Sequence, residues 1–187
     1  AQNIMGFMYE RGEGVEQNDA EAEGWYRKAA EQGLPEAQFH LGVMYSYGRG
    51  VEQDDAMAAV WYHKAAAQGI ADAQFNLGLM YEEGLGVEQD AVKAVNFYRK
   101  AAAQGIADAQ FYLGLMYADG KGVGQNYQNA AKWFRRAAEQ GDVEAQFNLG
   151  VMYDKGQGVE QSYTEAAKCF RKAAKQGVAE AQFNLAI

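Results

Sequence analysis

Residues 73–108 read AQFNLGLMYEEGLGVEQDAVKAVNFYRKAAAQGIAD, and the whole chain is built of copies of this unit. The opening Ala-Gln returns at Ala1, Ala37, Ala73, Ala109, Ala145 and Ala181, always 36 residues apart and with nothing inserted. A fixed period of a few tens of residues marks a solenoid, because one such unit is too small to bury its own apolar face. The expected architecture is all-α: a single domain over residues 1–187, with repeats 1–36, 37–72, 73–108, 109–144, 145–180 and the start of a sixth at 181–187.

Within a unit, Ala37, Leu41, Met44 and Tyr45 fall at i, i+4, i+7 and i+8, one face of a first helix expected from about Glu36 to Ser46. Pro35 and the acidic Glu36 suit its positive end. A glycine inside this helix (Gly6, Gly42, Gly78, Gly114, Gly150) should cost about 1 kcal/mol against Ala, so close approach of a neighbouring helix is expected there. Next comes Gly-x-Gly-Val, as at Gly48 to Val51, whose glycines supply the positive φ that ends the helix and reverses the chain. A phosphate loop is disfavoured: the spacing never extends to GxGxxG and no strand precedes it.

Asn18, Asp54, Asp90, Asn126 and Ser162 are N-cap residues for a second helix, expected from about Asp55 to Gln68. Its inner face alternates small and bulky groups, Ala58, Trp61, Tyr62, Ala65 and Ala66, and again Ala130, Trp133, Phe134, Ala137 and Ala138, which reads as core. Gly33, Gly69, Gly105, Gly141 and Gly177 close it as left-handed C′ residues. Arg99, Lys100, Arg135 and Arg136 near its end read as a solvated face. Cys169 stands where other units carry Trp25, Trp61, Phe97 and Trp133, and reads as a buried packing residue.

The pattern Ala-x-x-x-Leu-Gly-x-x-Tyr-x-x-Gly-x-Gly-Val, then Trp-Tyr-x-Lys-Ala-Ala and Gln-Gly, resembles the Sel-one-like repeat, a 36-residue relative of the tetratricopeptide repeat. The resemblance covers the whole chain. It implies a right-handed superhelix of helix pairs that serves as an adaptor for protein complexes, often in bacteria. Some cysteine-rich bacterial members have been described as penicillin-binding or weakly β-lactamase-like. They carry paired cysteines in each repeat, and this chain has only Cys169.

No enzyme is expected. His40 and His63 are the only histidines and lie on different helices, and there is no HExxH, no cysteine cluster and no Ser-x-x-Lys, so no catalytic residue, metal site or cofactor is assigned. The net charge of −8 disfavours nucleic acid, and no apolar run approaches a membrane span. One cysteine and no visible leader leave the compartment open. Charge shifts along the chain, from eight acidic against three basic residues in the first unit to four against five in the fifth. The chain opens with a first helix and stops at 185–187, so a longer array is expected, whose basic end stacks on the acidic end of another molecule.

Three readings follow: a protein- or peptide-binding scaffold, which is favoured; a structural unit that assembles end to end; and a ligand-binding or weakly hydrolytic protein by analogy. Counted from its first Ala, a unit buries places one, five, eight and nine of the first helix, and directs three, four, seven, ten and eleven away. In related tetratricopeptide solenoids that free face lines the concave groove. Here it carries Phe39, Phe75, Phe111 and Phe147 at place three and Val43, Leu79, Leu115 and Val151 at place seven. The phenylalanines either floor the groove or pack on the next first helix. Places that vary between copies are the expected binding residues: His40, Asn76, Tyr112 and Asn148; Glu82 and Asp154; Tyr47, Glu83, Asp119 and Lys155. With Leu79 and Leu115 they would hold an extended peptide, the amides of Asn76 and Asn148 pairing with its backbone and the carboxylates favouring basic side chains.

Overall fold

The computed structural model describes residues 1–177 and Ala181, and among these there are ten helices and no strand. They fall into two compact units, residues 1–90 and 91–187. The first holds α1 (Gln2–Arg11), α2 (Asp19–Glu31), α3 (Pro35–Tyr47), α4 (Asp55–Ala67) and α5 (Ala71–Glu83). The second holds α6 (Ala91–Ala103), α7 (Ala107–Asp119), α8 (Tyr127–Glu139), α9 (Val143–Lys155) and α10 (Tyr163–Lys175). Odd-numbered helices are the first of each repeat and even-numbered helices the second.

Helix ends follow local chemistry. The Asn18 side chain accepts from the N–H groups of Ala20 and Glu21, and Asp54, Asn126 and Ser162 accept from Met57, Asn129 and Glu165. At the other end of α2 the N–H of Leu34 donates to the Ala29 carbonyl at 3.2 Å and that of Gly33 to Ala30 at 3.0 Å, a Schellman closure repeated after α4 and α6. First helices run one residue further at each end than expected, because Pro35 already has the φ of a first turn and only Gly48, left-handed at φ 65°, stops the chain. The second helix stops one residue short, with Gln68 as its C-cap.

The interior glycine has a steric cause. A Cβ on Gly42 would lie 2.5 Å from the Tyr62 ring of α4, and the same holds between Gly6 and Tyr26, Gly114 and Phe134, and Gly150 and Phe170. The second glycine of the turn is needed for a reason beyond its φ of 69°: a Cβ on Gly50 would sit 2.2 Å from the backbone oxygen of Asp19 at the start of α2. Gly86 meets Asp55, Gly122 meets Ala91 and Gly158 meets Tyr127 in the same way, so each of these turns rests on the second helix of the preceding repeat.

The buried face of the first helix departs from expectation. In α3, α5, α7 and α9 places two and six are buried along with one, five and eight, whereas the place-nine tyrosines Tyr45, Tyr117 and Tyr153 are half-buried and only Tyr81 is buried. Place two is a glutamine. Buried Gln38 donates from Nε2 to the Ala30 carbonyl at 3.1 Å, and its Oε1 accepts from Gln68 Nε2 at 2.8 Å. In the second unit Gln110 donates to Ala102 and accepts from Gln140, and Gln146 donates to Ala138 and accepts from Gln176. These amides add a second donor to helix-end carbonyls that already accept from the N–H of the closing glycine, as Gly33 does to Ala30, Gly105 to Ala102 and Gly141 to Ala138.

Two packing expectations are corrected. Cys169 is half-buried, not buried. Of its counterparts only Trp61 is buried, Trp25, Phe97 and Trp133 being half-buried because the outer edge of the stripe reaches solvent. The expected exposed stop at 185–187 lies outside the described residues.

Candidate binding face

The expected binding residues divide by burial. Tyr47, Glu83, Asp119, Asp154 and Lys155 are exposed, while His40, Asn76, Leu79, Glu82, Tyr112, Leu115 and Asn148 are half-buried. In the first unit α3 carries His40 and Tyr47, and α5 carries Asn76, Leu79, Glu82 and Glu83. In the second, α7 carries Tyr112, Leu115 and Asp119, and α9 carries Asn148, Asp154 and Lys155.

Half-burial at places three and four comes from rings of the second helices. Phe39 lies 5.9 Å from Tyr62, Phe111 5.8 Å from Phe134 and Phe147 5.7 Å from Phe170, measured between ring centroids. The partner is thus the second helix of the same repeat, and neither of the two arrangements set out for the phenylalanines includes it. Place four reaches the second helix of the preceding repeat: His40 stacks on Tyr26 at 4.6 Å and Tyr112 on Tyr98 at 5.4 Å. Leu115 packs against the core around Phe134 and Leu149. The Asn148 amide already donates to the Glu144 carbonyl at 2.9 Å, one turn back in α9.

His40 sits in a polar cluster. Tyr26 donates to Glu10 at 2.7 Å, Arg49 pairs with the other Glu10 oxygen at 3.1 Å, and His40 Nδ1 lies 3.8 Å from Glu10. Burial holds the His40 imidazole below its ordinary pKa, with Glu10 opposing and Arg49 reinforcing the shift. Burial and the Glu10 bond push the Tyr26 phenol well up.

A second polar array was missed at the level of sequence. Arg27, Arg99 and Arg135 donate to the hydroxyls of Tyr45, Tyr117 and Tyr153, at 2.6, 2.9 and 2.9 Å, and His63 pairs with Tyr81 at 3.0 Å. Each link runs eighteen residues forward, from a second helix to the next first helix. Arg99 and Arg135 are therefore exposed but engaged, which corrects their reading as a merely solvated face. Lys100 and Arg136 lie over the Phe97 and Trp133 rings at 5.3 and 4.8 Å. The available signal was the constant offset between these basic residues and a tyrosine at place nine.

Among the described residues no group of three or more His, Cys, Asp or Glu could hold a metal ion, and no helix is long and apolar enough to cross a membrane.

Repeated helix pairs, glycine-spaced turns and interlocking polar ladders define an all-α repeat solenoid. The Sel1 repeat model matches residues 1–34, 35–70, 71–106, 107–142 and 143–178, and the chain belongs to that family. It is similar to c5321, a protective antigen present in uropathogenic Escherichia coli strains, at 44% identity and a TM-score of 0.96 over 98% of this chain. The chain spans 39% of that antigen's length. It is also similar to a Sel1 repeat protein from Oxalobacter formigenes (38% identity, TM-score 0.88, covering 98% of this chain and 73% of that one). A third likeness is to the immunity protein Pa5087 from Pseudomonas aeruginosa (25% identity, TM-score 0.55, 96% and 69% covered). No curated protein matches.

Proposed function

We propose that this chain is a binding scaffold whose partner, a protein or extended peptide, lies on the first helices of the repeats. Sel1 repeat proteins are in general protein-interaction scaffolds, and the likeness to an immunity protein supports a protein partner. The observation that carries the reading is the division of labour along each first helix. Places one, two, five, six and eight repeat almost unchanged and build the scaffold, whereas place ten, half-buried except at Asp154, and the exposed place eleven change from copy to copy.

Each unit carries its own patch. On α5 the amide of Asn76 and the carboxylates of Glu82 and Glu83 border Leu79. On α7 the exposed Asp119 follows the half-buried Tyr112 and Leu115, and on α9 the exposed Asp154 and Lys155 follow the half-buried Asn148. The carboxylates favour a partner bearing basic side chains.

The test reverses exposed charge, which leaves the ring stacks intact. A Glu83→Lys, Asp119→Lys, Asp154→Lys variant should keep its helical circular dichroism and lose a partner captured by cross-linking in the source cell. Capture at unchanged affinity would overturn the proposal.

A further inference from the structure

A cavity of 420 Å³ is bounded by α8, α9 and α10. Its apolar wall comes from Ala138, Leu149, the Tyr153 ring and Cys169. The second repeat shows what belongs in such a place. There Trp61, the counterpart of Cys169, is 5% exposed and packs with Ala30, Leu41 and Met44, the counterparts of Ala138, Leu149 and Met152. The Lys64 ammonium covers that indole, 3.9 Å from its centroid. Lys28 over Trp25, Lys100 over Phe97 and Arg136 over Trp133 repeat the arrangement. In the fifth repeat the ring is gone and its covering cation, Lys172, remains on the cavity wall.

A second change accompanies the first. Val60 and Ala67 of the second repeat become Lys168 and Lys175 in the fifth, and both line the cavity together with Arg171, the arginine that stands at its place in every full repeat except the second. Two of the lining cations are engaged, Lys168 with Glu165 at 2.7 Å and Arg135 with the Tyr153 hydroxyl at 2.9 Å. Arg171, Lys172 and Lys175 then face one further lining carboxylate, Glu139, so the rim is net positive in a chain of net charge −8. Replacing a ring by a thiol explains a hollow, but it does not explain Lys175 beside it, whose place carries Glu31, Ala67, Ala103 and Glu139 in the other repeats. A ligand with a flat apolar body and a negative head accounts for both.

We propose that this cavity binds a small aromatic anion, such as an aryl or indolyl carboxylate. Its ring takes the place that Trp61 fills in the second repeat, beneath Lys172, and its carboxylate meets Arg171 and Lys175. The ring is held by its faces: Trp61 Nε1 is buried and has no hydrogen-bond partner among the described residues, so the place reads shape and π-surface.

Indole-3-acetate is the probe, followed by isothermal titration and by amide chemical shifts of the full chain. One saturable site is expected, with shifts centred on Leu149, Tyr153 and Cys169. The neutral indole-3-acetamide should bind at least about tenfold more weakly, the scale of one charge-assisted contact. Cys169→Ala should bind as the parent does, because the thiol supplies no chemistry. Cys169→Trp, which fills the hollow with the chain's own ring, should abolish binding. Arg171→Gln with Lys172→Gln, two exposed changes that leave packing alone, should weaken it by about tenfold or more. Absence of a saturable site, equal binding of acetate and acetamide, or unchanged binding by the glutamine variant would each overturn the proposal.

Discussion

Arg135 donates to the hydroxyl of Tyr153 across 2.9 Å, tying α8 to α9 at a place where neither side chain is fully buried. The same offset links Arg27 to Tyr45 and Arg99 to Tyr117, so one arginine at a fixed place braces successive repeats. Water competes for both partners. Tyr153→Phe should therefore cost no more than about 1 kcal/mol in urea unfolding, and a larger loss would mean the link is better shielded than its exposure implies.

The glutamine array should be worth more. Gln110 is buried between the Ala102 carbonyl and the Gln140 amide, and water does not replace what it provides. Gln110→Leu should destabilise by about 1–3 kcal/mol, the loss of two side-chain hydrogen bonds at about 0.5–1.5 kcal/mol each. Equilibrium denaturation gives the value, and a neutral result would count against the array as a structural element.

Two glycine replacements with opposite signs test the packing argument. Gly24 in α2 has open space where a Cβ would stand, so Gly24→Ala should stabilise by about 0.5–1 kcal/mol through helix propensity. Gly42→Ala makes the same local change, yet its Cβ would strike the Tyr62 ring, and a net loss of about 1–3 kcal/mol is expected. Thermal melts of the pair decide the matter, and equal signs would refute the steric account.

His40 carries a pH dependence. Burial lowers its pKa, so folding favours the neutral ring; this stabilisation is complete above the unfolded value near 6.5 and is lost as pH falls through the folded one. Glu10, Glu36 and Arg49 are the charged groups acting on it. His40→Asn, which installs the residue found at the same place in α5 and α9, should flatten stability between about pH 7 and 5. An imidazole proton titrating at or above 6.5 by NMR would contradict this.

Cys169 should react slowly. Burial raises its thiol pKa, so less thiolate is present at neutral pH than for a free cysteine. Alkylation by iodoacetamide is expected to run below the rate of glutathione and to accelerate in urea. Folding favours the protonated thiol, so its contribution to stability is present below the unfolded pKa and falls away as pH rises.

The amino-acid sequence by itself determined the period, the two helices of each unit, their caps and their closing glycines. Asn18, Asp54, Pro35 and Gly33 act on backbone groups within a few residues of themselves, and such chemistry is the same in any context. It also marked the glycine of the first helix as a close approach, since five repetitions of a costly residue need a packing cause. Only the tertiary structure decided what that glycine meets, why the second turn glycine cannot carry a Cβ, and why Gln38 and its counterparts are buried. It also placed Phe39 and His40 on rings of two different second helices, and made Cys169 the wall of a cavity. Each of these depends on which side chain of another helix arrives at a given point. That is fixed by the angle and distance at which helices pack, and a one-dimensional pattern of apolar positions carries neither.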